Sequence, residues 1–173
     1  MVTRILWPGP KLLTLRGLLL LGILAIARPT QGQEEPRSRV GLSVGGVSTI
    51  GLIFEQQYDW GSFELTVGTW SFRDLSVSLV HKQYFSSGRV LGVAGAGLWT
   101  VLAFPPDGRT GVAVLARMPL GMEWTVSQEH FLNVEIGLNR ALMIRRTDPT
   151  DNLPPNRRLV PLPGASYRWL PER

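Results

Sequence analysis

RTGVAVLARMPLGMEWTV, Arg109 to Val126, carries an apolar residue on every second position. Val112, Val114, Ala116, Met118, Leu120, Met122, Trp124 and Val126 form one set, and Gly111, Ala113, Leu115, Arg117, Pro119, Gly121, Glu123 and Thr125 form the other. A repeat of two is that of a β-strand, here with one greasy face and one small or charged face. About sixteen residues is long for a strand in a water-soluble domain. It suits a strand that crosses a bilayer and protrudes beyond it.

The same alternation extends to both sides. N-terminal to it, strands are expected over Val40–Gly46, Ile50–Tyr58, Ser62–Phe72, Leu75–Phe85 and Val90–Phe104. C-terminal to it they are expected over Phe131–Asn139 and Leu162–Trp169. In the fifth strand Leu91, Val93, Trp99 and Val101 are expected outside, with Gly92, Ala94 and Ala96 facing a narrow interior. The separators are turn formers: Asp59-Trp60-Gly61, Ser86-Ser87-Gly88-Arg89, Pro105-Pro106-Asp107-Gly108 and Ser127-Gln128-Glu129-His130. The longest separator is Arg145–Arg158, charged and rich in proline. No stretch after Arg39 has a helical period. The expected fold is all-β, an eight-stranded antiparallel up-and-down barrel whose first and last strands pair, leaving no open edge.

An eight-stranded barrel can stand in water or in lipid, and its two faces distinguish the cases. The polar set gathers Glu55, Glu64, Lys82, Arg117, Glu123, Glu135 and Arg168, diluted by Gly, Ser and Ala. Inside a narrow lumen such charges would pair with one another; on a soluble barrel they would form the wet surface. Small residues are of little use on a solvated exterior. Twelve aromatics, Tyr58, Trp60, Trp70, Phe72, Tyr84, Phe85, Trp99, Phe104, Trp124, Phe131, Tyr167 and Trp169, fall near strand ends, as rings at a lipid interface would. The expectation is therefore a transmembrane barrel with a plugged, polar interior. The alternative is a soluble periplasmic, lipocalin-like barrel holding a small apolar ligand.

Residues 1–27 read as a signal peptide: Arg4, Lys11 and Arg16 precede the apolar run GLLLLGILAIA, Gly17–Ala27, which ends in Ala25-Ile26-Ala27. The run is short for a membrane-spanning helix, although an uncleaved anchor is the competing reading. Residues 28–38 read as a polar leader, 39–169 as the barrel and 170–173 as a tail. Of the 173 residues none is cysteine, which excludes disulfides, thiolate metal sites and a lipid-modified cysteine. Removing residues 1–27 lowers the formal charge from +5 to +2, so the basic balance argues little for nucleic acid as a partner.

Leu162-Pro163-Gly164-Ala165-Ser166-Tyr167-Arg168-Trp169 resembles the terminal assembly signal of bacterial outer-membrane barrels, with Gly164, Tyr167 and Trp169 on its pattern. Leu162 departs from it, being apolar where a polar residue is usual, and Leu170–Arg173 follow the aromatic that normally ends such chains. Met118-Pro119-Leu120-Gly121-Met122-Glu123-Trp124 is similar to a strand found in small uncharacterised barrels of this OmpA/OmpX-like kind. The resemblance implies export to the bacterial outer membrane, with membrane lipid and the barrel assembly machinery as partners. It leaves the activity open.

Chemistry of the usual kinds is hard to place. His81 follows Leu79 in parity on the outer face, with no Ser or acid set to pair with it. His130 sits in a turn beside Ser127 and Glu129, an ordinary polar turn. Glu123 and Glu135 share the inner face with Arg117, which favours an ion-pair cluster over acid–base work. Gly92, Gly95 and Gly97 lack the strand–turn–helix setting of a phosphate loop, and no metal-ligand spacing occurs. Arg145, Arg146, Arg157 and Arg158 at the ends of the long connection read as a solvated loop, with contact to an anionic partner as the second reading. The expectation is a non-enzymatic protein with no catalytic residue, cofactor or metal.

Overall fold

The computed structural model describes residues 36–85, 88–106, 108–148 and 158–171. The signal-peptide reading of residues 1–27 and most of the leader lie outside them. Eight strands follow in chain order: β1 Arg37–Gly45, β2 Ser48–Tyr58, β3 Gly61–Thr69, β4 Asp74–Phe85, β5 Val90–Ala103, β6 Gly111–Thr125, β7 His130–Arg145 and β8 Val160–Trp169. Each pairs antiparallel with its neighbour, and β1 pairs with β8, which closes the barrel.

The register sets the shape. The row of partners that starts at Arg39 runs through Glu55, Glu64, Val80, Gly97, Arg117 and Asn139 to Val160. The β8 residue that closes onto Val40 is instead Trp169, so the row returns to β1 displaced by about ten residues. For eight strands that stagger tilts them roughly 40° from the axis and leaves a bore that side chains can fill.

Four local features explain where the strands depart from simple alternation. In β7, Val114 pairs with Met143 but Leu115 with Ala141, leaving Leu142 as a bulge. One extra residue inverts the parity, so period-two reading stops at Asn139 while the strand continues to Arg145. The third strand ends at Thr69, three residues short of Phe72. There the Asp74 carboxylate accepts from the Trp70 and Ser71 amides at 2.7 and 3.0 Å, and Phe72 takes a φ of 59°. Pro119 sits inside β6, where the ladder to β5 breaks between Arg117 and Leu120 while the ladder to β7 continues through Pro119↔Gly137. In β8, Pro161 and Pro163 lie beyond Gly164, the last residue paired with β1, so their missing N–H groups take nothing from that seam.

The faces are sorted by polarity. Outside lie Leu42, Leu52, Phe54, Leu65, Leu79, Leu98, Leu120, Val134 and Ile136, each exposed by a third to a little over a half. Inside, the buried polar residues include Arg39, Glu55, Glu64, Lys82, Arg117, Glu123, Asn133, Asn139 and Arg168. The fifth strand faces opposite to the expectation that Val93 and Trp99 lie outside. Val93 and Trp99 point inward, at 4% and 6% exposure, while Leu98 is 53% exposed. Trp99 is fixed by its indole N–H, which donates to Ser76 Oγ at 2.8 Å inside the barrel. Gly95 shares that inward face, and Val80 and Pro119 occupy the space a side chain there would need. Two further aromatics expected at the lipid face also turn in. Tyr84 donates to Glu55, and Phe131 lies under the Arg39 guanidinium, 3.6 Å from ring centre to Cζ.

Candidate functional site: the charged lumen

All seven charged residues singled out by alternation project into one space, because each occupies the inward parity of its strand. They form a continuous ion-pair network that an eighth residue, Arg39, completes. Arg39 meets Glu123 at 2.9 Å and Glu55 at 3.7 Å. Arg168 is the hub: it bonds Glu64, reaches Glu123 at 2.6 Å and lies 3.7 Å from Glu55. Lys82 bridges Glu64 at 2.8 Å and Glu135 at 3.1 Å. Arg117 pairs with Glu135 and donates to Asn139 at 3.2 Å. The Glu55 carboxylate also accepts from Ser62 and Tyr84.

Topology makes this a plug. Arg39–Glu123 joins β1 to β6, Arg168–Glu64 joins β8 to β3, and Lys82–Glu135 joins β4 to β7. None of those strand pairs is adjacent, so these contacts cross the bore. Four cations face four carboxylates, and the charges cancel within the lumen. Side-chain exposure is 1% for Arg168 and 0% for Glu55 and Glu123. Charges so far from water are tolerable only when each is paired and hydrogen-bonded. Sequence reading placed Arg39 at the edge of the leader, one residue before its first strand. The signal that could have found it was charge balance, since four acids and three bases left one carboxylate uncompensated.

Close packing surrounds the network. The Arg117 guanidinium packs against Gly137, where a Cβ would come 2.8 Å from Cζ. Val47, in the tight β1–β2 turn formed by Gly45 and Gly46 at φ 74° and 71°, folds over the lumen and is 4% exposed. Its carbonyl accepts from Ser76 Oγ. The space bounded by Val47, Glu64, Arg117, Glu135 and Arg168 measures about 20 Å³, room for about one water. Such a lumen ties the strands together across the bore.

Above the charges the same inward face changes character. Val101, Ala113 and Ile144 are direct partners across β5, β6 and β7, and Ala103 pairs with Gly111 one step higher. They line an open concavity of about 270 Å³, rimmed by Arg145, Arg146, Thr147 and Asp148.

The remaining candidates sit apart from the lumen. His81 packs on the outer face, stacked on Trp60 at 5.2 Å and against Phe63 at 5.3 Å. His130 opens β7, and its Nδ1 lies 2.7 Å from the Tyr167 hydroxyl. Among the described residues no group of three or more His, Asp or Glu is arranged to hold a metal ion. Gly164 packs against the Gly46 backbone, and the Gly46 amide donates to the Pro163 carbonyl at 2.8 Å. Tyr167 faces outward at 42% exposure. Arg157 and most of the long connection lie outside the described residues. Comparison with protein-family models, with curated proteins and with solved structures gives no match to this chain.

Proposed function

We propose that this chain is a non-enzymatic β-barrel of the bacterial outer membrane, held shut by its internal ion pairs and serving the structure of the envelope or contacts at its surface. The observation that carries the reading is the sorting of the two faces. Leu52, Phe54, Leu98, Leu120, Val134 and Ile136 stand exposed around the outside, whereas eight charges point inward and seven of them are buried. In water this arrangement would leave a large contiguous apolar surface unpaired and would bury charge for no gain. In hydrocarbon both halves make sense, since the apolar face is solvated by lipid and every strand edge is paired.

Connection lengths support the same reading. At the end that holds the chain termini of the barrel, residues 59–60, 86–89 and 126–129 link the strands. At the other end residues 46–47 and 70–73 are short links, while 104–110 and 146–159 are the two longest, as in outer-membrane barrels whose longer loops share one end. Membrane lipid is then the partner of the outer face. The assembly machinery is the partner of the β8 segment carrying Gly164, Tyr167 and Trp169.

Cell fractionation tests the proposal directly. The barrel is expected with the outer membrane, soluble only in micelles and running as a heat-shifted band. Leu120→Arg is expected to cost about 2–4 kcal/mol near the bilayer midplane, read as a lower urea midpoint of the folded band. Recovery from the periplasm without detergent, together with an unchanged midpoint for Leu120→Arg, would overturn it in favour of a soluble ligand-binding barrel.

A further inference from the structure

The outward face of the described strands carries formal charge at two points, both on β7. Arg140 pairs with Ala116 and, past the bulge, Arg145 pairs with Val112, each on the outward parity of β6. No other outward position of the eight strands holds an Arg, Lys, Asp or Glu. Both arginines are exposed, and neither has an ion-pair or side-chain hydrogen-bond partner among the described residues.

The stagger fixes their level. From Arg39 the partner row climbs to Asn139 across six seams. At about 4.8 Å per seam and a tilt of roughly 40°, the rise along the axis is about 19 Å. Arg140 stands one residue higher, and Arg145 about 10 Å above Arg140. Trp169, paired with Val40, marks the opposite rim near the level of Arg39. An apolar band about 25 Å tall that begins there ends between the two arginines. A charge in the middle of such a band is costly and at its edge is not, and a long stem carries the guanidinium into the headgroup layer.

Composition supplies the sign. Residues 140–158 hold five arginines and two aspartates, an excess of three positive charges wherever the long connection runs. Guanidinium groups bind phosphate through paired N–H donors, and two stems reaching toward each other from above and below can hold one phosphate.

We propose that Arg140 and Arg145 form a lipid site on the outer wall of β7. They hold the anionic phosphate headgroup of a lipid in the leaflet at the end of the two longest links, while its chains lie on Leu138, Met118 and Ile136. The site rests on the membrane reading and deepens it, since one class of headgroup in one leaflet is recognised.

The test uses the full-length folded barrel in neutral detergent micelles doped with equal amounts of phosphatidic acid and phosphatidylcholine. Retained lipid is counted by native mass spectrometry. Phosphatidic acid is expected to be retained about tenfold over phosphatidylcholine. Arg140→Gln combined with Arg145→Gln is expected to bring the ratio near unity with the heat-shifted band unchanged. Arg140→Lys should keep part of the preference, and Arg89→Gln, at the opposite end, all of it. Equal retention of the two lipids by the wild-type barrel, or a preference that survives the double variant, would overturn the site. So would displacement by inorganic phosphate, which would make the ligand a soluble anion. Fractionation separates the two readings: a barrel of the outer membrane without the preference sinks this proposal alone, and one recovered from the periplasm without detergent sinks both.

Discussion

The lower lumen and its upper mouth are built on the same strands, at the same inward parity, yet one is solid and the other open. The difference is reach. Arg39, Lys82 and Arg168 carry long stems whose charged heads meet carboxylates from non-adjacent strands, and Arg117 adds a pair to Glu135 on the neighbouring β7. Ala103, Gly111 and Ala113 end at or near the backbone, and among the described residues no side chain from them spans the gap. An eight-stranded barrel is thus narrow enough to be plugged but is not plugged by its backbone. Closure depends on which side chains point in.

The comparison breaks most sharply at its hub. Arg168→Ala leaves Glu64 and Glu123 short of a cation in a dry lumen, and the loss expected is about 3–5 kcal/mol, read as a lower urea midpoint of the folded band. Arg168→Lys keeps the charge but loses the two-headed contact, and is expected to recover part of that stability. Equal midpoints for Arg168→Ala and wild type would mean that the cross-bore pairs contribute nothing.

A pair of volume increases sharpens the contrast. Gly137→Val pushes a side chain into the Arg117 guanidinium and is expected to cost about 1–3 kcal/mol. Ala113→Val, on the same inner face one region higher, enters open space and is expected to cost under about 1 kcal/mol. Both are read from urea midpoints, and similar losses would show the mouth to be packed as tightly as the plug. The smallest expected effect concerns salt. Sealed pairs are screened far less than surface pairs, so raising sodium chloride from about 0.05 to about 1 M is expected to leave the midpoint nearly flat. A steep fall would place the pairs in contact with water.

Much of this was legible before any coordinates. The alternation from Val112 to Trp124 is unmistakable because each outward residue is apolar and most inward ones are small or charged, and the seven inward charges follow from the same alternation carried over strands two to eight. Legibility failed where parity carries no contrast. β5 is Gly, Ala and Val on both faces, so nothing in LGVAGAGLWTV says which set is inside; the hydrogen bond from Trp99 to Ser76 decides it. It failed again at Leu142, where a single bulged residue shifts the repeat and hides the last residues of β7. Phe72 falls in the expected strand Ser62–Phe72, but the parity changes after Gly68, and there the Asp74 carboxylate closes a loop instead.

By itself, then, the sequence determined the class of element, their number and the polarity of most faces, since these depend on side chains two positions apart on one strand. Only the tertiary structure decided which charges meet, that Arg39 balances the set, and that the mouth stays open. Those outcomes depend on the stagger of about ten residues, which brings β1 opposite β6 and β8 opposite β3 across the axis. No local pattern along the chain records that stagger, because it is a property of how the sheet closes on itself.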